Sequence, residues 1–169
     1  MQRPVILLAT FNGARFIQSL MASIEAQTFS SWQLLARDDG SDDETLTLLT
    51  RWAGRDGRVR VVGNDGSRPS SVIGNFAALL DAADRTDGDV FFFCDQDDVW
   101  EPDKIKVSMQ AFDASAAPGP RLLVSDLRLV DASAMEDRGT FWATNMMPPT
   151  ERRTVAELCS RNLYPGCSM

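Results

Sequence analysis

Short apolar runs alternate along most of the chain with segments whose apolar residues recur every three or four positions. A continuous apolar run is typical of a strand that is buried on both faces of a sheet, whereas the longer spacing is typical of an amphipathic helix. The runs that predict strands are Pro4–Thr10, Trp32–Arg37, Val59–Val62, Val90–Cys94 and Leu122–Ser125. The segments that predict helices contain Phe16–Ile24, Leu46–Trp52, Phe76–Leu80 and Ile105–Phe112.

Residues that suit helix N-termini precede several of the helical segments. Ser41 with Glu44 forms a capping-box pattern before the second segment, and Ser70–Ser71 open the third. Pro102 suits the first turn of the fourth. After the fifth strand the periodicity weakens. Here the pattern predicts a loop over Ser133–Pro149 and a short helix over Thr154–Arg161.

The alternation of strands and helices predicts an α/β, Rossmann-like fold in which a mostly parallel sheet carries helices on both faces. Ligands of such sheets bind at the carboxyl ends of the strands. The segments Thr10–Asn12, Asp38–Asp39 and Asp95–Asp98 fall at those ends. Because two of the three are acidic, the candidate chemistry at this edge depends on carboxylates.

The composition excludes several kinds of catalytic and metal site. The chain has 169 residues, which suits one domain, and no histidine, which excludes a Ser-His-Asp triad, a Cys-His pair and a zinc site with a histidine ligand. Asp and Glu number 24 against 17 Lys and Arg, and the net charge of −7 argues against nucleic acid as a partner.

Two further features favour a cytoplasmic protein. The three cysteines, Cys94, Cys159 and Cys167, are irregularly spaced, as is typical of reduced thiols. The apolar runs are too short to span a bilayer, and the N-terminal run does not resemble a signal peptide. We therefore expect a cytoplasmic location and no transmembrane segment.

Asp95, Asp97 and Asp98 place three carboxylates directly after the most apolar strand. Two such charges about 4 Å apart repel by about 4 kcal/mol at an effective dielectric constant of about 20. A divalent cation would relieve this repulsion, and oxygen ligands favour Mg²⁺ or Mn²⁺. The alternative is a solvated acidic turn at the start of the next helix, where negative charge is also favourable.

Asp38 and Asp39 also admit two interpretations. Asp38–Asp43 makes a good turn and N-cap, and a carboxylate at this place can equally accept hydrogen bonds from a ligand N–H or a ribose hydroxyl. The sequence lacks a Gly-x-Gly-x-x-Gly segment and a Walker lysine motif, which argues against an NAD site or a P-loop. Arg68 is a candidate phosphate partner in the loop before the helix that contains Asn75.

Together these residues resemble family 2 glycosyltransferases of the GT-A fold, close to their bacterial rhamnosyltransferase-like branch. The matching segments follow the family's order and are Ile6–Gly13, Ser23–Phe29, Arg37–Asp43, Asn75–Phe76, Phe92–Ile105, Val124–Asp131 and Asn162–Met169. The resemblance implies inverting transfer of a sugar from a UDP- or dTDP-sugar to a hydroxyl of a glycan or lipid-linked acceptor, in cell-surface polysaccharide synthesis. It is compatible with peripheral membrane association of the full-length protein.

The resemblance also implies roles for single residues. The candidate nucleotide-binding residues are then Thr10, Phe11, Asn12, Asp38, Asp39, Arg68, Asn75 and Asp95. Asp39 would hold the base. Asp97 and Asp95 would be the family's Asp-x-Asp pair, with Asp97 on the Mg²⁺ or Mn²⁺ ion that bridges the diphosphate and Asp95 near the ribose or the metal.

The family's catalytic base normally follows the segment that Asn162–Met169 matches, so we expect the base beyond Met169 and none within this chain. Residues 1–131 would then be the donor-binding half of a GT-A domain, and residues 132–169 the incomplete start of the acceptor-side half. Such a chain would bind nucleotide and metal weakly and would transfer sugar poorly or not at all.

Other classes fit the motifs less well. A metal-dependent nucleotidyltransferase would need a glycine-rich phosphate loop near the N-terminus, where Phe11–Arg15 offers one Gly and one Arg. A phospho-receiver domain would need a lysine after the fifth strand, but Lys104 and Lys106 follow the fourth. A non-catalytic nucleotide-binding domain remains the other alternative.

Overall fold

The computed structural model describes residues 3–63, 71–114, 119, 121–131 and 137–144. Arg68, the predicted helix Thr154–Arg161 and the matching segment Asn162–Met169 lie outside these ranges. The chain divides into two compact units, Met1–Gly119 and Pro120–Met169. The carboxylate-bearing strand ends singled out above all belong to the first unit.

The first unit alternates four strands with four helices, as the apolar pattern predicts. In chain order the elements are β1 (Pro4–Thr10), α1 (Ala14–Glu25), β2 (Gln33–Asp38), α2 (Thr45–Arg55), β3 (Val59–Val61), α3 (Val72–Ala83), β4 (Val90–Asp95) and α4 (Lys104–Ala114). The strands form one sheet in the order β3-β2-β1-β4, and every pair in it is parallel. All carboxyl ends therefore meet at one edge, with β1 between β2 and β4.

Helices cover both faces of this sheet. On one face α1, α2 and α4 pack against the strands through side chains such as Ile17, Leu49 and Ile105, which are fully buried. On the other face α3 packs through Leu79 and Ala83. Because β1 is covered on both sides, its apolar run is continuous and not alternating. The predicted α/β class is confirmed.

Helix starts follow the sequence signals only in part. Ser71 caps α3 as predicted, since its hydroxyl accepts a hydrogen bond from the Gly74 N–H at 3.3 Å. The predicted capping box of Ser41 and Glu44 is wrong, because α2 begins at Thr45 and Glu44 makes no side-chain cap. The Ser41 hydroxyl instead donates to Asp38 Oδ1 at 2.5 Å. Because the Asp38 carboxylate accepts its hydroxyl, Ser41 does not cap α2.

The second unit departs from the sequence predictions. Leu122–Ser125 is not a strand, and Leu122 is 61% exposed. The strands are β5 (Arg128–Val130) and β6 (Asp137–Thr140), an antiparallel pair that is followed by α5 (Phe141–Thr144). Part of the predicted loop Ser133–Pro149 is therefore ordered structure.

The Asp126 carboxylate organises this short unit. Its Oδ1 accepts hydrogen bonds from the Leu127 N–H at 2.8 Å and the Trp142 N–H at 2.9 Å. Although partial burial acts to raise it, the pKa of Asp126 is lowered by these bonds together with one from the Thr140 side chain. Side-chain to backbone bonding of this kind leaves no periodic apolar signal, which explains why periodicity did not predict the unit.

No helix among the described residues is both long enough and apolar enough to cross a membrane. The longest ones, α1 and α3, have 12 residues each.

Candidate functional site

A cavity of about 490 Å³ opens at the carboxyl edge of the sheet. It is lined by Ala9, Thr10, Phe11, Asp39, Ser71, Val72, Asn75, Asp95, Gln96 and Asp97. These residues come from the ends of β1, β2 and β4 and from the first turns of α3. A cavity of this size is within the usual range of roughly 300–1,000 Å³ for small-molecule sites.

Six of the nine predicted site residues line this cavity. They are Thr10, Phe11, Asp39, Asn75, Asp95 and Asp97. Asp38 and Asn12 lie beside the cavity without lining it, and Arg68 is outside the described residues. The two that do not line the cavity bind neighbouring loop atoms.

Asp38 uses its carboxylate to shape the loop after β2. Its Oδ2 accepts hydrogen bonds from the N–H groups of Gly40 and Ser41, at 3.2 and 2.8 Å. Its Oδ1 accepts from the hydroxyls of Thr10 and Ser41, at 3.0 and 2.5 Å. Gly40, at the apex, has a positive φ of 86° that favours glycine. Asp38 is buried, and these bonds fold the loop so that Asp39 faces the cavity.

Asp39 is held by a buried cation that sequence reasoning had not singled out. Arg37, at the end of β2, places Nη1 3.3 Å from Asp39 Oδ1 and 3.0 Å from Asn75 Oδ1. The Asn75 amide in turn donates to the backbone carbonyl oxygens of Thr10 and Arg37, at 3.4 and 3.3 Å. All three side chains are buried. The network ties β1, β2 and α3 together beneath the cavity and compensates the Asp39 charge.

Asn12 lies in the turn that joins β1 to α1. Its backbone has a φ of 49°, a left-handed value that asparagine tolerates better than most residues. Its N–H donates to Ser41 Oγ at 2.8 Å, and its Oδ1 accepts from the Asp42 N–H at 2.9 Å. Asn12 therefore fastens this turn to the loop that follows β2.

The start of α1 is capped by that same loop. The Gly13 N–H donates to Thr45 Oγ1 at 2.8 Å, and the Ala14 N–H donates to Asp43 Oδ2 at 3.1 Å. A hydrogen bond from the Thr45 hydroxyl is the largest of the effects that lower the pKa of Asp43. In dinucleotide-binding folds such N–H groups receive the phosphate. Here two of them are already bonded, so an anionic ligand of this cavity must be held elsewhere.

Asp95 and Asp97 supply two carboxylates on the opposite side of β1 from Asp39. Asp95 ends β4, where it pairs in register with Ala9, and Asp97 follows in an exposed turn. Within the described ranges, no three His, Cys, Asp or Glu side chains lie close enough together to hold a metal ion. Proteins bind Mg²⁺ through one or two carboxylates plus substrate phosphates, so the pair fits a cation that is shared with a ligand.

Hydrogen bonds from the end of α1 hold the segment that follows Asp97. Buried Gln27, after the end of α1, donates from Nε2 to the Glu101 carbonyl oxygen at 2.7 Å and accepts from the Ile105 N–H at 3.1 Å. The Trp100 N–H donates to Ser23 Oγ at 3.0 Å. These bonds join α1 to the start of α4. They belong to the segment whose sequence, Ser23–Phe29, carried part of the resemblance.

Several cavity residues had no predicted role. Gln96, between the two aspartates, contacts the Phe11 backbone with both amide atoms, and Ser71 and Val72 contribute the first turn of α3. The sequence held a signal for Arg37, because an arginine inside an apolar strand needs a buried partner. It held none for Val72, whose position depends on how α3 packs on the sheet.

Comparison with known proteins identifies a family for this chain. The family model for glycosyl transferase family 2 matches residues 5–156. A curated relative, the UDP-Glc:alpha-D-GlcNAc-diphosphoundecaprenol beta-1,3-glucosyltransferase WfgD of Escherichia coli, is 26% identical over 104 residues. That alignment covers 62% of this chain and 38% of the relative, so the chain spans well under half of that protein's length.

Two solved structures share the fold. S. aureus TarS 1-349 in complex with UDP-GlcNAc superposes with a TM-score of 0.55 at 18% identity, over 77% of this chain and 40% of that TarS chain. Mannosyltransferase PcManGT from Pyrobaculum calidifontis, in complex with GDP-Man and Mn²⁺, gives a TM-score of 0.54 at 19% identity, over 67% of this chain and 32% of that one. The family match covers most of the chain, and the two solved structures share its α/β fold. The chain therefore belongs to glycosyltransferase family 2.

Proposed function

We propose that the cavity binds a nucleoside-diphosphate sugar and that the protein transfers the sugar, with inversion, to an acceptor hydroxyl. The observation that carries the proposal is the placement of Asp39 and of the Asp95–Asp97 pair on either side of the β1 end. With strands about 4.8 Å apart, side chains following β2 and β4 are separated by about 10 Å. That separation suits a ligand with a hydrogen-bonding base at one end and a diphosphate at the other.

The base would bind at Asp39. A carboxylate accepts hydrogen bonds only, so it favours bases that present an N–H, as uracil and thymine do at their imide nitrogen. We therefore propose a UDP- or dTDP-sugar as donor. A UDP donor is supported by the relative whose name specifies UDP-Glc and by the structural neighbour in complex with UDP-GlcNAc. Thr10 and Phe11 would line the nucleotide, and Asn75 would keep Asp39 in place through Arg37.

The diphosphate would lie against Asp95 and Asp97 with Mg²⁺ or Mn²⁺, Asp97 on the metal and Asp95 near the metal or the ribose. Both carboxylates line the cavity, and hard oxygen donors suit these ions. The structural neighbour that contains Mn²⁺ supports the choice of metal. When bound, the ion would neutralise phosphate charge that the two carboxylates would otherwise repel. The two side chains would hold the ion at the diphosphate end of the cavity.

The acceptor is proposed to be a hydroxyl of a glycan or of a lipid-linked sugar, in cell-surface polysaccharide synthesis. Support comes from the relative whose named acceptor is a diphosphoundecaprenol-linked sugar. A cytoplasmic location, with peripheral membrane association of the full-length protein, would bring the site to such an acceptor. We propose residues 1–131 as the donor-binding half, and placement in the rhamnosyltransferase-like branch on the matching segments.

Thermal-shift titration tests the proposal. The chain is titrated with UDP, dTDP, GDP and ADP, each with and without MnCl₂. A ligand at about 100 times its Kd adds about 2.7 kcal/mol, which equals a Tm rise of roughly 5–11 °C for a chain of this size. We expect a rise of that order with UDP or dTDP, larger with Mn²⁺.

Asp97→Ala should abolish the Mn²⁺-dependent part of the rise, because it removes the proposed metal carboxylate. Asp113→Ala is the matched control, since Asp113 is an exposed aspartate on α4 away from the cavity. An equal response to all four nucleotides, or an unchanged metal effect in Asp97→Ala, would contradict the proposal.

A further inference from the structure

The side chain of Gln96 bonds to the backbone of Phe11 as a peptide group would. Its Oε1 accepts a hydrogen bond from the Phe11 N–H at 2.8 Å, and its Nε2 donates to the Phe11 carbonyl oxygen at 2.9 Å. Two reciprocal bonds at these distances hold the amide in one orientation.

This contact continues the sheet where its backbone ladder ends. β1 and β4 are paired in parallel up to Ala9 and Asp95, and the chain turns at Gln96 and Asp97. The Gln96 amide therefore takes the place of the next peptide group of β4. The backbone is thereby free to turn away from β1 while both flanking carboxylates still line the cavity.

Gly13 makes room for this arrangement. A Cβ at residue 13 would lie 2.3 Å from Gln96 Oε1 and 2.6 Å from its Cδ, far inside contact distance. The backbone of Gly13 has an ordinary φ of −106°, so glycine is not required there by its conformation. The close approach of Gln96 is the reason that the structure offers for glycine at this position.

The β1–α1 turn has other hydrogen bonds that hold it, whereas among the described residues the Gln96 amide bonds to Phe11 alone. Asn12, Gly13 and Ala14 are each bonded to the loop after β2. Loss of the Gln96 contact would leave that turn, and the base side of the cavity, in place. The turn of Gln96 and Asp97 would lose the two side-chain hydrogen bonds that join it to Phe11.

We propose that Gln96 is a positioning residue that sets the Asp95 and Asp97 carboxylates relative to the nucleotide side of the cavity, with Gly13 as its required neighbour. The inference rests on the proposed function, because the effect of this geometry is on diphosphate and metal binding.

Calorimetric titration of the full chain with uridine, with UDP, and with UDP plus MnCl₂ tests it. For Gln96→Ala we expect uridine affinity within about twofold of wild type, and a loss of about tenfold in the Mn²⁺-dependent gain in UDP affinity, the size expected for two missing hydrogen bonds. Gln96→Glu, which keeps the size but sets a carboxylate oxygen against the Phe11 carbonyl, should lose the gain as well. Gln110→Ala, an exposed glutamine on α4, should behave as wild type.

Gly13→Ala provides the second arm. Its new methyl group should displace Gln96 and reproduce the Gln96→Ala pattern, and the double variant should match Gln96→Ala alone. The inference is overturned if Gln96→Ala keeps the full Mn²⁺-dependent gain, if it weakens uridine equally, or if the effects of the two substitutions multiply. Failure of the wild-type chain to bind any nucleotide would overturn the proposed function and the inference with it.

Discussion

Removal of the Arg37 guanidinium should destabilise the fold strongly, because it leaves the Asp39 carboxylate buried without its cation. The perturbation is Arg37→Met, which keeps an unbranched apolar stem and removes the guanidinium. The ion-paired side chains of Arg37 and Asp39 are only 5% and 9% exposed, and their atoms are 3.3 Å apart. Deletion of one partner of a buried pair costs about 3–5 kcal/mol. We expect about 3 kcal/mol here, since Asp39 borders the cavity and can be reached by water.

Urea unfolding of wild type and variant measures this loss directly. Arg3→Met is the matched control, because Arg3 pairs with Asp87 at 2.6 Å with side chains 60% and 84% exposed. Surface pairs of this kind contribute about 0–1 kcal/mol. The double variant R37M/D39N should regain much of the lost stability, since its buried charge is gone. Equal effects of Arg37→Met and Arg3→Met would refute the argument that Asp39 depends on a buried cation.

Two further predictions concern stability outside the cavity. Gly88→Ala should lower the free energy of unfolding in urea by about 1–3 kcal/mol, because its Cβ would lie 2.2 Å from Cγ2 of buried Val5. Gly57→Ala is the control and should be near neutral, since no atom lies within 4 Å of its Cβ. Equal effects of the two substitutions would contradict this. The Arg58 side chain holds the pKa of Asp56 below its ordinary value of 3.8, so this pair stabilises the fold above that pH and its contribution is lost as pH falls below it. Unfolding free energies measured from pH 5 downwards should therefore fall less steeply in Asp56→Asn than in wild type, and parallel curves would exclude the linkage.

The parts of the fold that periodicity describes were predictable. β1 is buried on both faces, so its run is uniformly apolar, and α1 shows its buried stripe at helical spacing. A parallel sheet brings the carboxyl ends of its strands to one edge. The placement of Asp39, Asp95 and Asp97 at one cavity could therefore be predicted. The resemblance to family 2 glycosyltransferases predicted the family that the family model then matched.

The failures have a shared physical cause, which is that polar side chains bonded to partners that periodicity does not reveal. Ser41 was expected to cap α2, but Asp38, three residues earlier, accepts its hydroxyl. The Asp126 carboxylate bonds to the Trp142 N–H and holds a unit that periodicity did not show. Gln96 bonds to Phe11, 85 positions earlier. Contacts like these depend on strand order and loop geometry, neither of which residue spacing encodes.

The cap that α1 takes from the loop before α2 has a consequence for how this edge can be altered. The segments 11–14 and 38–45 exchange hydrogen bonds through Asn12, Gly13 and Ala14. A length change in either segment would break the hydrogen bonds that cap α1, even where the inserted residues themselves fold well. Attempts to exchange base preference by grafting a loop from another protein should therefore transplant both segments together, as one interlocked cassette.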